Sequence, residues 1–104
     1  MSTFVNYTLR GVGTTLVPVT TASGVTTVIG LSVANTTGGT VTADVSLWNG
    51  TNDTYLVKGM DVVPGSSQVV VGGDQKLVLT AGQAVRVKSS AAASLDVIMS
   101  ALVV

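Results

Sequence analysis

The sequence predicts an all-β domain, an antiparallel β-sandwich or jelly roll of about eight to nine short strands. Three observations carry that prediction. Val, Thr, Gly, Ser and Ala dominate the chain and Glu is missing altogether, which favours strands and turns over helices. Apolar residues recur with a period of two, as a half-buried strand requires. Short Gly-containing turn signals separate the apolar stretches at intervals of about 8 to 12 residues, a spacing that sandwiches share. With 104 residues and no linker or charge run, the chain reads as one domain spanning 1–104.

The elements follow in order. Phe4 to Leu9 is the first candidate strand, and segment 1–12 is either a strand of the domain's own sheet or an arm reaching a neighbour. Leu16 to Thr20 is the second. "VIGLSVAN" (Val28 to Asn35) places Ile29, Leu31 and Val33 inward. "TVTADVSLW" is the cleanest alternation, with Val41, Ala43, Val45 and Leu47 on one face and Thr42, Asp44, Ser46 and Trp48 on the other. "TTGGT" (Thr36 to Thr40) between these two predicts a hairpin. Tyr55 to Val63, Gln68 to Val71, Lys76 to Leu79 and Ala84 to Lys88 are further strands, separated by "PGS", "GGD" and "AGQ". "SSAAAS" (Ser89 to Ser94) reads as a loop more than a helical turn. In the last strand Leu95, Val97, Met99, Ala101 and Val103 point inward, yet Ile98 and Leu102 on the opposite face are apolar too, so a central or covered strand is expected.

Composition narrows the function. Without Cys or His the chain has neither thiolate chemistry nor the commonest general base and metal ligand. The five aspartates are scattered and no serine has a histidine partner, so no catalytic constellation is visible; the expectation is a protein that is not an enzyme and takes no cofactor. Five acids balance five bases, whereas nucleic-acid binders are normally basic. No apolar run reaches the roughly 18 residues of a membrane span, and the N-terminus lacks the pattern of a signal peptide, so synthesis in the cytoplasm is expected, with no membrane partner. Only 10% of residues are charged and 46% are hydrophobic, which suggests surface buried against neighbours.

Four stretches invite a site. "RGVGTTL" (Arg10 to Leu16) and "VGGDQK" (Val71 to Lys76) have glycines suited to phosphate, but neither leads into a helix, and they read as a strand connection and a hairpin turn. "VRVKS" sets Arg86 and Lys88 outward, as solvated charges that protect a strand edge or as contacts to the aspartates of a neighbouring subunit. No aromatic stacking platform accompanies them, which disfavours nucleic acid. "WNGTNDTY" reads as a polar hairpin loop flanked by Trp48 and Tyr55; a sugar stacking on those rings is the alternative.

The strand "VIGLSVANTT" with "VTADVSL" after it, "YLVK", "PGSS" before a valine strand, "GGDQK" and "KSSAAASLDVI" together resemble a group of small β-rich virion structural proteins of tailed bacteriophages. The similarity covers Val28 to Leu102, and its motifs are structural. It implies a protein made in the host bacterial cytoplasm and built in many copies into the virion, most simply as a capsid decoration or cement protein. A neck or tail accessory protein or a host-surface carbohydrate-binding module is the alternative. The implied partners are other copies of itself and a major capsid or tail protein. Phe4, Tyr7, Trp48, Tyr55 and Leu102 are then the candidate interface anchors, and Arg86, Lys88 and the aspartates the residues that set register.

Overall fold

A computed structural model describes Ser2–Val104. The described residues form nine strands and no helix: β1 (Thr3–Val12), β2 (Val17–Thr21), β3 (Thr26–Asn35), β4 (Val41–Trp48), β5 (Asp53–Val62), β6 (Ser67–Val71), β7 (Leu77–Leu79), β8 (Ala84–Ser89) and β9 (Leu95–Val103). They make two antiparallel sheets. One has the order β1-β9-β3-β6, with β7 also paired to β3; the other has the order β2-β8-β4-β5.

The pairing is nested about the turn between β4 and β5. From that turn outwards, β4 pairs β5, β3 pairs β6 and β7, β2 pairs β8, and β1 pairs β9. Folding such a nested ribbon across two sheets produces a jelly roll, so the second of the two predicted architectures is the one adopted. Its core is mostly valine: Val28, Val33, Val45, Val62, Val71, Val85, Val87 and Val97 are fully buried, with Leu31, Leu79, Leu95 and Met99 filling the larger gaps. β-branched side chains pack well on a pleated surface and lose little rotamer freedom there, which is why so uniform a set suffices.

Three predicted local features are corrected. β3 and β4 do not form a hairpin: they lie in different sheets, and Thr36 to Thr40 carries the chain across. The buried Asn35 shapes this crossing. Its amide donates to the carbonyls of Gly39 (2.8 Å) and Val62 (2.9 Å), while its Oδ1 accepts from the Thr37 backbone N–H (2.8 Å) and hydroxyl (2.7 Å). Second, "GGDQK" is not a hairpin turn. β6 pairs Leu31 to Ala34 and β7 pairs Val28 to Thr26, both antiparallel to β3, so residues 72–76 loop out of what is otherwise one continuing strand. Third, Ile29 is not in the inward row. Val28 lies opposite Ala101 and Gly30 opposite Ser100, so Ile29 is the extra residue of a bulge and Val28 takes the buried place.

Segment 3–12 is a strand and not an arm, since Thr3 to Leu9 runs opposite Val103 to Val97 residue for residue. Met1 lies outside the described residues. β9 is central, between β1 and β3, as its two apolar faces suggest. Ser89 to Ser94 closes as a loop, with Ala93 in the left-handed region (φ 48°) and the buried Ser89 and Ser94 hydroxyls hydrogen-bonded to each other. Ser94 N–H donates to the Val12 carbonyl and Ser89 N–H to that of Gly13, which fastens this loop to the end of β1.

Candidate functional site

The two outer faces of the sandwich differ in kind. On an antiparallel sheet, directly opposed residues share a face, so the register assigns every side chain. The outer face of the β2-β8-β4-β5 sheet holds Asp44, Asp53, Lys58, Asp61, Arg86 and Lys88, six of the chain's ten charged residues. Among the described residues the outer face of the β1-β9-β3-β6 sheet holds only two charges, Arg10 and Asp96, both toward one end, where Asp96 accepts the Gly11 N–H at 2.9 Å.

On the charged face all the ions named but Asp61 pair within the chain. Arg86 grips Asp53 through both Nε (3.0 Å, to Oδ1) and Nη2 (to Oδ2), and the Ser46 hydroxyl donates to Asp53 Oδ1 at 2.9 Å. A two-point grip of this type fixes the geometry as well as the charge. It holds the Asp53 carboxyl below the usual carboxylate range, chiefly through the hydrogen bond from Arg86 and against the opposing effect of burial, and it raises the Arg86 guanidinium in turn. The guanidinium also lies over the Trp48 ring, 4.4 Å from its centroid. Next to this cluster Asp44 stands between Lys58 and Lys88, 3.7 Å from each ammonium, and its Oδ1 accepts the Gly59 N–H at 2.7 Å. Lys58 Nζ sits 4.4 Å from the centre of the Tyr55 ring.

This arrangement changes what the charged residues can do. Arg86 and Lys88 point outward as predicted, but β8 is an inner strand, so they guard no edge, and their aspartates come from their own chain rather than from a neighbouring subunit. Trp48 and Tyr55 flank the β4–β5 turn, where the Asn49 Oδ1 accepts the N–H groups of Thr51 (2.9 Å) and Asn52 (2.8 Å). A cation lies over one face of each ring. In "RGVGTTL" the Gly11 N–H that a phosphate would need is held by Asp96, and in "VGGDQK" the Lys76 ammonium donates to the Gly73 carbonyl at 2.5 Å. Among the described residues every buried side-chain N or O has a hydrogen-bond partner, and no three of His, Cys, Asp or Glu cluster together.

The opposite face is where Phe4 and Leu102 fall, side by side in the row Phe4, Leu102, Thr27, Val78. A parallel row runs Thr8, Ile98, Ser32, Val69. Between the two lie Asn6, Ser100 and Gly30, and shallow depressions on either side of Ser100 form a trough floored by the side-chain-free Gly30. Phe4 is 73% exposed, Val69 70%, Val78 55% and Ile98 53%. Tyr7 does not join them: it faces the other way and packs, half-buried, against the core. Reading the sequence missed Val69 and Val78 because "VVV" and "LVL" conceal which member turns outward; only the register decides it.

The chain matches no protein-family model and no curated protein. Fold and surface define a jelly-roll domain with one self-neutralised polar face and one apolar-ridged face whose charges, Arg10 and Asp96, are confined to one end.

Proposed function

We propose that the protein is a non-enzymatic structural subunit of a tailed-bacteriophage virion, a decoration or cement protein that self-associates and docks on a capsid or tail protein. The observation that carries this reading is the outer face of the β1-β9-β3-β6 sheet, uncharged except for Arg10 and Asp96 at one end. Two apolar ridges, Phe4–Leu102–Val78 and Ile98–Val69, border a trough lined by small polar groups, and no charge lies among them. A soluble monomer gains nothing from exposing such a surface, whereas a subunit buries it against its partner. The face extends across four strand positions and about ten residues, roughly 350 Å² in flat projection from the spacings of a sheet, a little under half of one side of a standard-sized protein interface.

The jelly roll supports the reading by analogy, since capsid proteins use it, but lectins use it too. Trp48 and Tyr55, the rings available for a sugar, each carry a cation over one face, which favours the structural reading over the lectin one. The test is co-sedimentation of purified protein with particles of the phage whose genome encodes the chain, stripped of their own copies. Saturable binding is expected. Protein that stays in the supernatant at all concentrations would refute the proposal.

A further inference from the structure

Of the four sheet edges, three carry features that block pairing with another chain. β2 has Pro18 and an irregular register between Pro18 and Thr20. β5 has Lys58 and Asp61, two register shifts, and Gly59 in the left-handed region. The edge made by β6 and β7 is broken by the loop at 72–76. Bulges, charges, prolines and short segments are the means by which proteins disarm free edges. β1 has none of them over "TFVNYTL": Thr3 to Leu9 is regularly paired on one side with β9, free of charge, Pro and Gly, and open on the other side. On its inner face Val5, Tyr7 and Leu9 are only half-buried, so the core is thinly covered along this edge.

We infer that the free edge of β1 pairs antiparallel with β1 of a second copy, about a two-fold axis at Asn6, joining two sandwiches through one continuous sheet. The inference rests on the reading of the protein as a self-associating subunit and names the surface involved. An axis at Asn6, the midpoint of the regular stretch, uses all seven residues and forms about six to eight main-chain hydrogen bonds. It sets Val5 against Tyr7 of the second copy on the core side and Phe4 against Thr8 on the other, β-branched-to-aromatic pairs of a favourable kind. No like charges meet: Arg10 falls opposite Ser2. At the axis Asn6 meets Asn6. Its Oδ1 already accepts the Ser100 hydroxyl (2.7 Å), leaving its amide N–H groups to the second copy. Such an isologous pairing closes on itself as a dimer.

The test is light scattering on full-length wild-type, Asn6→Lys and Asn6→Asp proteins, with thermal melts as a check on folding. Asn6 is exposed, so both variants should melt near the wild type. The wild type is expected to dimerise, each variant alone to dimerise about five- to tenfold more weakly, and an equimolar mixture of the two to recover the dimer. A wild-type dimer that Asn6→Lys leaves intact, or a mixture that fails to recover, overturns the edge assignment alone. A monomeric wild type overturns self-association as well. A dimer that does not bind particles overturns the virion role and leaves the edge assignment standing.

Discussion

Two residues with opposite legibility show what holds the polar parts of the fold. Asn35 sits in "VANTTGG", where the sequence suggests an ordinary turn; nothing local says that its amide reaches the Val62 carbonyl, 27 residues further on. Because Asn35 is buried and every hydrogen-bonding group it has at the crossing is in use, Asn35→Ala should destabilise the protein by about 2–3 kcal/mol in urea unfolding, mostly through the polar groups left unpaired. Arg86 was legible as an outward charge and Asp53 only as a residue of a polar loop, and their pairing comes from the antiparallel register of β4 with β5 and with β8, which is a tertiary property. The Asp53 carboxyl is held below its ordinary value in the folded state, so folding favours its ionised form. That contribution is fully present above the unfolded Asp pKa of about 3.9 and is lost as pH falls through the lower folded value. Asp53→Asn should therefore lower the urea midpoint at pH 7 and leave a smaller difference from the wild type at pH 3. An equal difference at both pH values would show that the carboxylate charge is not what Arg86 stabilises.

At the scale of elements, alternation located every strand, and the bounds differ from the predicted ones by at most two residues at nearly every end. What alternation does not encode is which strands are neighbours. Adjacent strands with a Gly-Gly turn between them, β3 and β4, suggest a hairpin by local rules, yet the core is buried only when β3 returns to β6, β7 and β9 in the opposite sheet. Bulges were invisible for a similar reason. Gly59 takes a φ of +69° where β5 skips register against β4, and the Asp44 carboxylate accepts its N–H there. No atom lies within 4 Å of where a Cβ would stand, so Gly59→Ala tests the backbone conformation and not packing. It should cost about 1 kcal/mol, read as a lower urea midpoint with an unchanged slope.

For the molecule as a whole, the low charge content pointed to buried surface, and the fold shows how that charge is distributed: most of it is gathered on one sheet and cancelled there, leaving the other sheet's face with Arg10 and Asp96 at one end. The outward turn of Ile98 and Leu102 was readable from periodicity, whereas Phe4 was a candidate anchor together with Tyr7, and only the register shows that it alone of the two faces outward. The trough beside them was not, because it is assembled from β1, β3, β6 and β9. The virion role rests on that face. Since Ile98 and Val69 are mostly exposed, replacing both with Lys leaves the core untouched and puts two charges on one apolar ridge of the proposed contact. The most direct measurement is the affinity of this double variant for particles, compared with wild type at matched thermal stability. Binding weakened by about a hundredfold or more is the predicted result, two buried like charges being worth several kcal/mol. Wild-type affinity in a folded Ile98→Lys, Val69→Lys protein would show that the apolar-ridged face is not where the subunit meets its partner.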